Sequence, residues 1–76
     1  MKQINLQKKI RNKFIKQGVK MTDPNTVYFS KDTKIGKNVT IEPYVVFGLK
    51  VKIKNNVKIL AFSHLEGVSV DNNVSI

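Results

Sequence analysis

Cysteine is absent from these 76 residues, so neither a disulfide framework nor a thiolate metal site can staple the fold. Histidine occurs once, as His64, and the five acids (Asp23, Asp32, Glu42, Glu66 and Asp71) are scattered. No pair of them has the spacing of a helical metal site, and there is no second histidine to join them. Proline occurs only twice and glycine four times. Gly36, Gly48 and Gly67 lie too far apart to form a phosphate-cradling loop, and backbone geometry is their expected duty. A long apolar run is missing as well. The opening Met-Lys-Gln-Ile-Asn resembles neither a signal peptide nor a membrane span, so the expectation is a cytoplasmic chain without one.

Negative charge is scarce, with 14 basic and 5 acidic residues giving a formal charge of +9. Such an excess attracts anionic partners. Yet every basic residue except Arg11 is lysine, a solvated point charge less suited than arginine to bidentate phosphate and base contacts. Solvated surface charge is therefore the expectation over a nucleic-acid interface. The alternative places nucleic acid on the helix lysines Lys8, Lys9, Lys13 and Lys16.

What is present divides near residue 18. Upstream, Ile4, Leu6, Ile10, Phe14 and Ile15 fall on one side of a helical wheel, opposite lysines, with Gly18 where a C-terminal cap belongs. This pattern predicts a basic amphipathic helix over 1–18, packed on its own domain or a sister chain because it is short for stability alone. Residues 19–28, with the turn signal Asp23-Pro24-Asn25, read as a connector.

From residue 29 the period becomes six. Phe29, Ile35, Ile41, Phe47, Ile53, Ile59 and Leu65 are all large and apolar. Thr33, Val39, Val45, Val51, Val57, Ser63 and Ser69 form a second, smaller row at the same step. Neither a helix nor an alternating strand yields this double register, but hexapeptide coils do. Three hexapeptides turn the chain once around a triangular prism, so residues 18 apart stack on one wall. Corners are expected at Lys37-Asn38, Asn55-Asn56 and Asn72-Asn73, because asparagine tolerates left-handed backbone. The rhythm slips after Leu65, with the next apolar lead at Val70, which predicts a local irregularity between residues 63 and 70. In this register Ser63 points inward and His64 outward, so the two do not form a nucleophile–base pair. The fold expected is mainly β: a parallel β-helix of about two and a half coils over 29–76, behind an N-terminal α-helix.

Several segments narrow the match. Gly18 through Val27 behind a basic helix, Ile41-Glu42-Pro43 leading to Val46-Phe47-Gly48, and Phe62-Ser63-His64-Leu65-Glu66-Gly67 resemble one family in particular. It is the bifunctional N-acetylglucosamine-1-phosphate uridyltransferase / glucosamine-1-phosphate acetyltransferase, at its connecting helix and first acetyltransferase coils. The resemblance implies a left-handed β-helix and a trimer. It places no catalytic, cofactor-binding or metal residue on this sequence, since the family's nucleotide-binding half precedes the matching region and its acetyltransferase residues lie in later coils. The expectation is a truncated or split fragment with a structural or assembly role, inactive alone and holding no cofactor. The alternative is a subunit of a composite acetyltransferase completed by a separately encoded partner chain.

Overall fold

The computed structural model describes residues 2–76, with side chains from Leu6 onward; the expected helix residues Lys2 and Ile4 fall outside the described side chains. A helix, α1 (Lys2–Gln17), precedes nine short strands. These are β1 (Lys20–Met21), β2 (Val27–Tyr28), β3 (Lys34–Ile35), β4 (Thr40–Ile41), β5 (Val45–Phe47), β6 (Lys52–Ile53), β7 (Lys58–Ile59), β8 (His64–Leu65) and β9 (Ser69–Val70). They pair in parallel as three separate sheets, ordered β1-β4-β7, β2-β5-β8 and β3-β6-β9. These sheets are called walls A, B and C below. The chain visits each wall once per turn, which is a parallel β-helix.

Register follows the sequence period. Ile35 lies opposite Ile53, Ile41 opposite Ile59 and Phe47 opposite Leu65, each pair 18 residues apart. All seven residues of the large row are buried, as are Thr33, Val39, Val45, Val51 and Val57 of the smaller one. The slip is equally plain. On wall C, Lys52 faces Ser69 and Ile53 faces Val70, a step of 17. One residue is dropped between Leu65 and Ser69, and the partly buried Val68, not Ser69, takes the inward place.

The prism starts earlier than the large apolar row suggests. The segment expected as a connector supplies β1 and β2. Strand β2 pairs with β5 at the 18-residue step of the later coils, while β1 pairs with β4 at a step of 20, Lys20 facing Thr40, so the first coil is two residues longer. A 3-10 turn at Pro24–Thr26 separates them. Proline and asparagine mark a corner here, and the strands flanking it are only two residues long.

Corners recur with the same arithmetic. Backbone φ is positive at Asn38, Tyr44, Lys50, Asn56 and Phe62, six residues apart, then at Gly67 after five and Asn73 after six more. The expected asparagine corners are all there. Side chains bind the coils together at these points: Asn38 Nδ2 donates to Asn56 Oδ1 (2.7 Å), and Asn72 Oδ1 accepts from Asn55 N (2.9 Å). Asn55 Oδ1 accepts from Lys37 N (2.8 Å), an approach that leaves Gly36 no room for a Cβ.

The helix closes the open lower end of the prism. Gly18, at φ +108°, ends it with a Schellman pattern: Val19 N donates to Phe14 O (2.9 Å) and Gly18 N to Ile15 O (3.1 Å). Phe14 is 2% exposed and lies 4.9 Å from the Phe29 ring, which stacks at 5.0 Å on Phe47. An open β-helix end also presents backbone groups that lack a rung below them. Gln7 satisfies two of these, donating to Phe29 O (2.6 Å) and accepting from Phe29 N (2.8 Å). Arg11 Nε donates to Val27 O (2.9 Å), and Gln17 Nε2 to Ile35 O and Gly36 O.

The inward face of α1 is accordingly Gln7, Ile10, Arg11, Phe14 and Gln17, at helical spacing. This corrects the purely apolar stripe, because Leu6 (42% exposed) and Ile15 (46%) face away. A sheet edge needs hydrogen-bonding partners, which a wholly apolar face cannot supply.

Candidate interaction surface

Because inward positions alternate with outward ones along each strand, every wall has an outer row that is free of packing duty. The three rows differ in chemistry. Wall A presents Lys20, Thr40 and Lys58; wall B presents Tyr28, Val46 and His64; wall C presents Lys34, Lys52 and Ser69. Wall B's row thus lacks lysine, aspartate and glutamate, in a chain whose formal charge is +9.

Aromatic side chains gather on that side. At the corner between walls A and B, the rings of Tyr44 and Phe62 stack at 5.2 Å with planes 3° apart. Both residues have positive φ, and Phe62 is 81% exposed. Left-handed backbone is costly for bulky residues, about 1–2 kcal/mol each. Val46 and Leu60 are exposed nearby in the chain. Arg11, which reaches up from the helix, lies 5.0 Å over the Tyr28 ring. A cleft of about 620 Å³ opens between helix and wall here, lined by Gln7, Arg11, Asn25, Tyr28 and Val46 among others.

Among the described residues, His64 is not brought together with Ser63 or with a carboxylate. His64 is exposed on wall B, while Ser63 Oγ donates to Leu60 O (2.7 Å). Glu42 accepts from Ala61 N (3.0 Å) and lies 3.7 Å from Lys58 Nζ. Asp71 lies 3.6 Å from Lys54 Nζ. Asp32 accepts from Ser30 Oγ (2.6 Å) and Lys50 N (3.0 Å), and these bonds, the Ser30 hydroxyl foremost, hold its carboxyl below the usual aspartate value. Asp71 is held low by the Asn72 N–H and then by Lys54. Among the described residues, no three His, Asp or Glu side chains come together as a metal site, and no helix is long and apolar enough to cross a membrane. Lys8, Lys9, Lys13 and Lys16 are all exposed on α1, with Lys13 Nζ 5.7 Å over the Phe14 ring.

Sequence reasoning placed His64 outward and left the glycines to backbone geometry, but it did not find the uncharged wall. The signal was available: Tyr28, Val46 and His64 share one phase of the period of 18, and Tyr44 and Phe62 share another.

Stacked rungs, a six-residue step and left-handed corners define this molecule as a hexapeptide-repeat β-helix protein. Its relatives are more specific. Over 70 residues, 92% of the chain, it is 47% identical to the bifunctional protein GlmU of Zymomonas mobilis. It is 50% identical over 68 residues to GlmU of Gluconobacter oxydans, and 46% identical over 66 to GlmU of Wolbachia pipientis wMel. The chain spans only 15–16% of the length of these relatives, so what it shares with GlmU is one stretch. No family model matches the chain.

Proposed function

We propose that this chain is an assembly module built from a GlmU-like stretch: it self-associates side by side, as a trimer, and carries no catalysis on its own. The carrying observation is the wall B row of Tyr28, Val46 and His64, continuous with the stacked Tyr44–Phe62 corner. An exposed apolar face on so basic a chain fits a surface made to be covered. Like-charge repulsion between copies is weakest where lysine is missing. Ser63 and His64, adjacent but turned to opposite sides, support the absence of a nucleophile–base pair.

Light scattering at several concentrations tests this reading. The expected result is a persistent mass of three chains, reduced to one by Val46→Lys or Phe62→Asp while the β-sheet circular dichroism remains. A folded monomer at all concentrations would overturn it.

A second reading follows from the share of GlmU covered: another chain supplies later coils, and the pair forms a composite glucosamine-1-phosphate acetyltransferase. Acetylation of glucosamine 1-phosphate that appears only in a mixture with such a chain supports it; a mixture as inert as either component removes it.

A further inference from the structure

We propose that wall C and its two flanking corners form a receptor for a compact ligand carrying several linked phosphate groups. The argument begins with the rungs. Lys34 and Lys52 are direct neighbours across β3 and β6, so strand geometry brings two like charges together. Like charges directly opposite one another destabilise a sheet. Wall A avoids this arrangement: Thr40 sits between Lys20 and Lys58, and Glu42 lies 3.7 Å from Lys58.

The corners deepen the positive field. Lys31 and Lys50 flank wall C on one side, Lys37 and Lys54 on the other, and all four are exposed. Six lysines thus surround a face whose nearby carboxylates are Asp32, Asp71 and Glu66, the last stacked over Gly48 at the Lys50 corner. Asp32 is held by Ser30 and by the Lys50 backbone, and Asp71 pairs with Lys54. Among the described residues, neither Lys34 nor Lys52 has an acidic partner within salt-bridge distance. Toward the Lys37–Lys54 corner lies a shallow hollow of about 360 Å³, bordered by Lys34, Lys52, Lys54, Asn55 and Asn72.

Three lysines, of which Lys54 is shared with Asp71, and two asparagines border one hollow, a set of donors that suits phosphate oxygens. A terminal phosphate group carries about −1.5 to −2 charges at neutral pH, and further linked phosphates add to it, so a short phosphate chain matches the clustered lysines. Lysine acts as a point charge and responds to charge density, where an arginine fork would demand planar geometry. The wall has no exposed aromatic side chain on which a base could stack, and it is only three rungs, about 10 Å, high. Both features favour a short phosphate chain over a nucleic-acid strand.

The test uses inorganic tripolyphosphate, titrated into the chain at low salt by calorimetry, with two charge-matched double variants. Lys34→Gln/Lys52→Gln removes the opposed pair; Lys8→Gln/Lys9→Gln removes equal charge from α1. Binding that is unchanged in the helix variant and at least tenfold weaker in the wall variant is the expected result. Without ligand, the wall variant should melt no lower than the wild type, since it loses only a repulsion. Equal weakening in both variants would reduce the effect to net charge and overturn the proposal. No binding by the wild type would do the same, as would a short DNA duplex occupying wall C where tripolyphosphate does not.

Discussion

The inside and the corners of this prism obey the same six-residue clock, yet they use it differently. Inside, each tick selects a residue type: large and apolar in one row, β-branched or small in the other. At the corners, each tick selects a backbone conformation and leaves residue type almost free. Asparagine, tyrosine, lysine, phenylalanine and glycine all occupy the positive-φ position. Interior positions are thus constrained by volume and dehydration, corner positions by the need to turn. The two regions should therefore answer mutation on very different scales.

The interior should answer most strongly. Ile41 is completely buried on wall A, between Met21 and Ile59. Ile41→Asp strands a carboxylate among apolar rungs with no partner, a cost of about 5 kcal/mol or more. A domain of this size has about 4–11 kcal/mol in total. Loss of the cooperative thermal transition is expected; a cooperative melt within a few degrees of wild type would disprove the stacked interior.

Second comes the plug that closes the interior. Phe14→Ala empties the site beneath Phe29 and should cost about 3–5 kcal/mol, measured by urea unfolding. Gln7, Arg11 and Gln17 would still reach the lower edge, so α1 should persist in circular dichroism under native conditions. A loss below about 1 kcal/mol would mean that the amides, not the aromatic stack, hold the helix in place.

This division explains what could be read in advance. The interior rows were legible because burial admits few residue types, and seven consecutive large apolar residues at one spacing have no other simple cause. The asparagine corners were legible for a local reason, the tolerance of that side chain for left-handed backbone. Tyr44, Lys50 and Phe62 were not, since nothing in those residues favours a positive φ. Their conformation is imposed by the rungs on either side, and only their phase with Asn38 and Asn56 marks them. The first coil was missed in part because its strands begin before Phe29, the first member of the large row. The capping face of α1 was misjudged because a wheel sorted by hydropathy cannot show that its target is an open sheet edge. Wall B stayed hidden for a related reason: outward rows repeat every 18 residues, so each has only three members in a chain this short.

A smaller effect separates strain from contact at the corners. Lys50→Gly relieves a left-handed lysine and should raise stability by up to about 1 kcal/mol, after the added unfolded-state freedom of glycine is counted. Phe62→Gly relieves the same strain but also removes the stack on Tyr44, worth about 0.5–1.5 kcal/mol. The second variant should fall below the first by about that amount in the monomer. Equal stabilities would mean that the exposed stack contributes nothing within one chain, so that its use must lie between chains.

The smallest effect is a pH dependence that belongs to one corner only. Asp32 accepts from Ser30 Oγ within its own coil and joins the next coil by accepting from Lys50 N, and its folded pKa is lowered below the ordinary 3.8. A carboxylate with a depressed folded pKa stabilises the fold fully above its unfolded value, and loses that contribution as pH falls through the folded one. Melting temperatures of wild type and Asp32→Ala should therefore differ by a constant amount at and above neutrality, and converge as pH drops below about 4. Asp71 is lowered too and titrates in the same window, but it is present in both proteins and cancels in the difference. Its bonds are to Lys54 and the adjoining Asn72, so it should not depend on the Ser30 corner. A gap that stays constant down to pH 2 would show that Asp32 acts through shape and not charge, and the Asp32 corner would then obey the same rules as the uncharged ones.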